Sequence, residues 1–72
     1  MEIRIDTEAD AAYIRLRKGK VHRTEELGEG YMLDFSRAGK VIGIEVLHLS
    51  KKSAGVLGVD VPERVWKLAL SA

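Results

Sequence analysis

The chain has 72 residues, a formal net charge of +1 and no cysteine. A core of this size is barely sufficient alone, and the lack of cysteine excludes disulfides, thiolate zinc sites and cysteine nucleophiles together. The near-neutral balance makes no global electrostatic case for nucleic acid or an anionic membrane. Oligomerisation is therefore the expected remedy for the small core, a two-fold homodimer being its commonest form and a higher homo-oligomer the alternative.

Glu2-Ile3-Arg4-Ile5-Asp6 alternates polar and apolar, the pattern of a half-buried strand, with Ile3 and Ile5 expected to face the core. This acidic start lacks the basic and apolar regions of a signal peptide, and no stretch approaches the length of a membrane span. A cytoplasmic protein is expected. Thr7 to Asp10 reads as a loop, because Thr and Asp cap turns with their own side chains. Ala11 to Arg17 resumes the alternation, with Ile14 and Leu16 inward and Tyr13, Arg15 and Arg17 outward.

Lys18-Gly19-Lys20 is a turn, and Val21 to Leu27 follows as the least apolar strand. Placing Val21 and Leu27 inward puts Arg23 and Glu25 on the same face, which suits a sheet edge or a partly open face. After Gly28-Glu29-Gly30, residues Tyr31 to Phe35 set Tyr31, Leu33 and Phe35 against Met32 and Asp34. Ser36-Arg37-Ala38-Gly39 then turns into the longest β-branched run, Lys40 to Ser50, the central or last strand of the sheet. Its period puts Ile42, Ile44 and Val46 on one face and Val41, Glu45 and Leu47 on the other, so both faces need a cover. Gly43 in its middle implies a bulge or a close backbone approach.

Composition changes after Ser50. Lys51 to Gly55 reads as a short helical turn and Val56 to Val59 as a linker. Asp60, with Pro62 in the first turn and Glu63 three residues on, is a helix N-cap signature. From Glu63 to Ala72 the polar residues gather on one arc, leaving a wide apolar face anchored by Trp66. The expected fold is thus α+β, mainly β. It is a single domain over 1–72, in which an antiparallel meander of about five strands occupies 1–50. The linker and a C-terminal helix, packed on the sheet or on a partner subunit, occupy 51–72. The lack of Asn and Gln alongside many Lys, Arg and Glu matches a thermophile-like composition, and codon bias equally.

The run Ile3-Arg4-Ile5-Asp6-x-Glu8-Ala9-Asp10-Ala11-x-Tyr13-Ile14-Arg15-Leu16 resembles the opening of the small prokaryotic family called domain of unknown function 2283. Gly30-x-x-Leu33-Asp34-Phe35-x-x-x-Gly39-x-Val41-Ile42-Gly43-Ile44-Glu45-Val46-Leu47 resembles its second half, so the likeness runs over about residues 2 to 50. The resemblance implies a compact β-rich domain with no assigned activity and no catalytic positions to carry over. His48 departs from the small or acidic residue more typical near that place.

Candidate chemistry is sparse. Asp6, Glu8 and Asp10 could present carboxylates to Mg²⁺ or Ca²⁺, but the glycine and distal Glu of a calcium loop are misplaced and self-capping turn residues explain them. Asp34, Glu45 and His48 could form an enzyme site at a subunit interface, although like charges on neighbouring strands repel. Tyr13, Arg15, Arg17, Lys18 and Lys20 could track a phosphate backbone and stack a base, against a plain solvated face with cross-strand ion pairs. No motif calls for a cofactor, a structural metal or catalysis. The leading expectation is a small oligomeric, non-catalytic protein–protein interaction module, with Val41, Leu47, Val65, Trp66 and Leu70 as candidate subunit contacts. The look of the family suggests one version, an antitoxin-like partner of a separately encoded protein.

Overall fold

The computed structural model describes residues 1–52 and 61–71. Five strands run β1 (Glu2–Asp6), β2 (Ala11–Arg15), β3 (Arg23–Gly28), β4 (Tyr31–Phe35) and β5 (Val41–Val46), followed by a 3-10 turn over Leu49–Lys51 and helix α1 (Glu63–Ser71). All pairings are antiparallel. The expected strand-rich sheet with a C-terminal helix is the architecture of the chain. The helix start expected at Asp60 and the linker at Val56 to Val59 lie outside the described residues.

The strand order is β1-β2-β5-β4-β3. Two hairpin units, β1–β2 and β3–β4–β5, lie side by side, and β5 closes the seam by pairing with both β2 and β4. The run that is apolar on both faces therefore takes the centre, where every residue of β5 but Glu45 is buried. The weakly apolar β3 takes one edge, as its Arg23 and Glu25 implied.

Register fixes which residues share a face. Ile3, Ile14, Ile44 and Leu33 are successive partners across the sheet, and Ile5, Ala12, Val46 and Tyr31 form the next row. Helix α1 lies over β5 on this side, with Val65 and Ala69, one turn apart, closing the core together with Val61. A nine-residue helix is unstable alone in water, so this apolar stripe holds it. Ion pairs Arg64–Glu29 at 3.2 Å and Lys67–Glu63 at 3.8 Å are exposed and add little.

A bulge corrects the facing expected for β5. Asp34 pairs with Gly43 but Phe35 pairs with Val41, so Ile42 is an extra residue. Val41 consequently joins Ile44 and Val46 in the core, while Ile42, though buried, leaves that cluster. A Cβ on Gly19 would run into Ile42 Cδ1, so the turn after β2 is what lies against Ile42. The N–H groups of Leu16 and Arg17 both donate to the Ile42 carbonyl, at 2.8 and 3.2 Å, which is why β2 ends at Arg15 instead of Arg17.

Ile3 and Ile5 are on the core face, yet they stay 51% and 50% exposed. Sheet width explains it. Five strands span about 19 Å from first to last, and one helix about 10 Å across covers only the middle. The edge at β3 is roofed differently: the Arg23 guanidinium sits 4.0 Å from the Phe35 ring centroid and bonds Glu25 at 2.7 Å.

A candidate functional site on the open sheet face

The face away from the helix carries the second row of partners: Arg15–Gly43–Asp34–Thr24 and Arg4–Tyr13–Glu45–Met32–Glu26. Tyr13 lies opposite Glu45 but leans along β5, so that its hydroxyl and Cζ rest over Gly43. It thereby crosses β5 and donates its hydroxyl hydrogen to Asp34 on β4. Thr24 Oγ1 of β3 donates to Asp34 Oδ1 at 2.5 Å. Three strands, β2, β3 and β4, are tied together across β5 through one carboxylate, itself only 8% exposed.

This is the close approach that Gly43 implied. Within the chain, Tyr13 over Gly43 supplies part of the cover on the other face of β5. Asp34 is buried acceptably because both its hydroxyl partners are in place.

Burial and the adjoining Asp34 push the Tyr13 phenol up to about 12, with Glu45 in the same sense and Arg15 opposing. A phenol held in its neutral form is a poor base, and its proton is already committed to Asp34. Because the folded chain binds that proton more tightly than the unfolded chain, the contribution is complete below about pH 10. It is lost as pH climbs through 10 toward 12. Urea midpoints measured across this range should fall more steeply for the natural chain than for Tyr13→Phe.

The three groups weighed for catalysis are not gathered. Asp34 is bound up with Tyr13 and Thr24, Glu45 is half-buried opposite Met32, and His48 is exposed beyond the strand end. Gly43, opposite Asp34, and His48 are separated by about 16 Å of extended chain. His48 instead turns the chain, with φ 54° and ψ 44°, into the 3-10 turn.

That turn belongs to a contact invisible in the sequence. Asp10, also left-handed at φ 53°, accepts the Leu49 N–H on its carbonyl at 2.9 Å. Its carboxylate accepts the Ser50 N–H at 2.9 Å and the Ser50 hydroxyl at 2.8 Å. The Ser50 hydroxyl and N–H hold the Asp10 carboxyl below the usual range, with smaller help from His48 and Lys51. Asp6 Oδ1 accepts the N–H groups of Glu8 and Ala9 at 3.0 and 3.1 Å. Asp6 and Asp10 thus serve as turn caps, and no group of three or more metal-binding side chains occurs among the described residues.

Of the basic residues, Arg15 shares the open face with Tyr13 and donates Nη1 to the Arg17 carbonyl at 3.4 Å, while Arg17, Lys18 and Lys20 are exposed past the end of β2. Arg4 Nε lies 3.6 Å from Glu2, and Glu26 and Glu45 share the face, so its charge is mixed. A shallow groove at the β1–β2 hairpin, lined by Arg4, Asp6, Glu8, Tyr13 and Glu45 among others, is mixed in the same way. Among the candidate subunit contacts, Val41 and Val65 are fully buried in the chain's own core, Leu47 and Trp66 are half-buried, and Leu70 is exposed.

The fold and this face define a small antiparallel β-domain, helix-covered on one side and locked by a hydroxyl–carboxylate cluster on the other. A family model described as a protein of unknown function (DUF2283) matches residues 2–50. The chain belongs to that family. No curated protein and no solved structure matches it. No helix among the described residues is long and apolar enough to cross a membrane.

Proposed function

We propose that the chain is a non-catalytic protein–protein interaction module that works as a homo-oligomer, in the simplest case a homodimer. The observation that supports this reading is the unequal treatment of the two sheet edges. On the core face β3 presents the Arg23–Glu25 pair, a charged arrangement that discourages edge pairing. On the same face β1 presents Ile3 and Ile5, half exposed, preceded by Met1 at 84% exposed. A small domain gains from covering such surface, at about 25 cal/mol per Å² of apolar area removed from water. The open face speaks for the same reading, since its best-organised polar group, Asp34, is occupied in holding strands together.

Light scattering coupled to size exclusion tests it. The expected result is twice the chain mass at micromolar concentration; a single-chain mass up to millimolar concentration overturns it.

A further inference from the structure

We infer that β1 is the subunit contact itself, pairing with β1 of a second copy in antiparallel register centred on Ile3, so that two five-stranded sheets become one continuous sheet. The inference rests on the homo-oligomer reading above and specifies its geometry. β1 ends the strand order, so its outer row of backbone N–H and C=O groups faces no strand among the described residues. Its pairing with β2 is regular over all five residues, whereas the other edge strand, β3, carries a bulge between Glu26 and Gly28 and inward-facing charges.

Side-chain charge selects the register. A two-fold axis perpendicular to the sheet pairs residues lying on the same face, so the centre falls on a single residue of the strand. Centring on Arg4 would set Arg4 against its own copy and Glu2 against Asp6, like charges in every polar pair. Centring on Ile5 would use Asp6 and Thr7, but Asp6 Oδ1 is committed to the N–H groups of Glu8 and Ala9 and Thr7 lies past the strand end. Centring on Ile3 sets Glu2 against Arg4 twice, Ile3 against Ile3 and Met1 against Ile5 twice. Every polar pair is then of opposite sign, and Met1, Ile3 and Ile5, exposed apolar residues at this edge of the sheet, cover one another.

Charge reversal of exposed side chains tests the register with little risk to the fold, because Glu2 and Arg4 are both largely exposed. Full-length Glu2→Arg and Arg4→Glu chains, checked for native circular dichroism, would be examined by sedimentation equilibrium alone and mixed in equal amounts. Each variant alone should dissociate about tenfold more readily than the natural chain, and the mixture should regain the natural affinity as a heterodimer. Tighter association of Glu2→Arg alone indicates the Arg4-centred register, weakening confined to Arg4→Glu indicates the Ile5-centred one, in which Arg4 faces Asp6, and unchanged association of both indicates another surface; each overturns the inference while leaving the homo-oligomer standing. A monomeric natural chain overturns both.

Discussion

Gly43→Ala should lower the stability of the domain by about 3 kcal/mol, a large share of the roughly 5 kcal/mol available to so small a core. The cost does not come from the backbone, since Gly43 is not among the residues with positive φ and alanine suits a strand there. It comes from the volume above it. An added Cβ would fall on the Tyr13 hydroxyl and Cζ and would stand 2.9 Å from the Ile14 carbonyl oxygen. The ring must swing away and lose Asp34, while the carbonyl, held in the β2–β5 ladder, cannot yield as easily. Urea unfolding at fixed protein concentration gives the difference directly. Adding Tyr13→Ala to Gly43→Ala should cost less than the sum of the two single changes by about 1 kcal/mol or more. Additive losses, or a Gly43→Ala midpoint equal to that of the natural chain, would show that the tyrosine does not lie across β5.

Gly43 also marks the limit of what sequence can disclose. A glycine inside an apolar strand signals that something comes close, but nothing in the pattern names the partner. Tyr13 is distant in sequence and directly opposite Glu45, and only the lean of its side chain brings it over Gly43. Period-two alternation assigns faces, so the inward set Ile14, Ile44, Leu33 and Tyr31 was legible, as was β3 as an edge. Alternation does not assign neighbours. That β5 sits between β2 and β4 follows from its being apolar on both faces, whereas chain order alone would have put β3 beside β2. A single-residue bulge is only half readable: Gly43 signals a bulge or a close approach, but nothing in the pattern says that the extra residue is Ile42 and that Val41 thereby moves to the core face.

The same limit applies to cover. Ile3 and Ile5 were assigned to the correct face, but their half exposure depends on how far one short helix reaches across five strands. The acidic loop shows the converse. Asp6 and Asp10 looked alike, yet one caps its own turn while the other reaches Ser50, because left-handed Asp10 directs its carbonyl and carboxylate at the end of β5. Three landmarks of the family resemblance, Tyr13, Asp34 and Gly43, meet in one contact. What is recognisable in this chain is therefore a packing pattern more than a reaction centre.

Asp34→Ala should cost about 2 to 3 kcal/mol, because it removes the shared acceptor of two hydroxyl donors on different strands and one of those bonds is as short as 2.5 Å. Thr24 is exposed and will recover a bond to water. Tyr13, half-buried over Gly43, recovers one less readily, so most of the loss should fall on the link across β5. Asp34→Asn should cost about half as much, since the amide oxygen still accepts while the charge is gone. Thr24→Val should cost about 1 kcal/mol. The tyrosinate absorbance supplies a second readout that a general loss of packing would not imitate. With the carboxylate removed, the Tyr13 phenol should titrate below about 12, burial still holding it above its ordinary 10, with Tyr31 as the internal background. An Asp34→Ala chain of natural stability and unchanged phenol titration would mean that the carboxylate is not what holds Tyr13 across the sheet. The charge would then be free for a ligand, and the open face would have to be reconsidered as a binding surface.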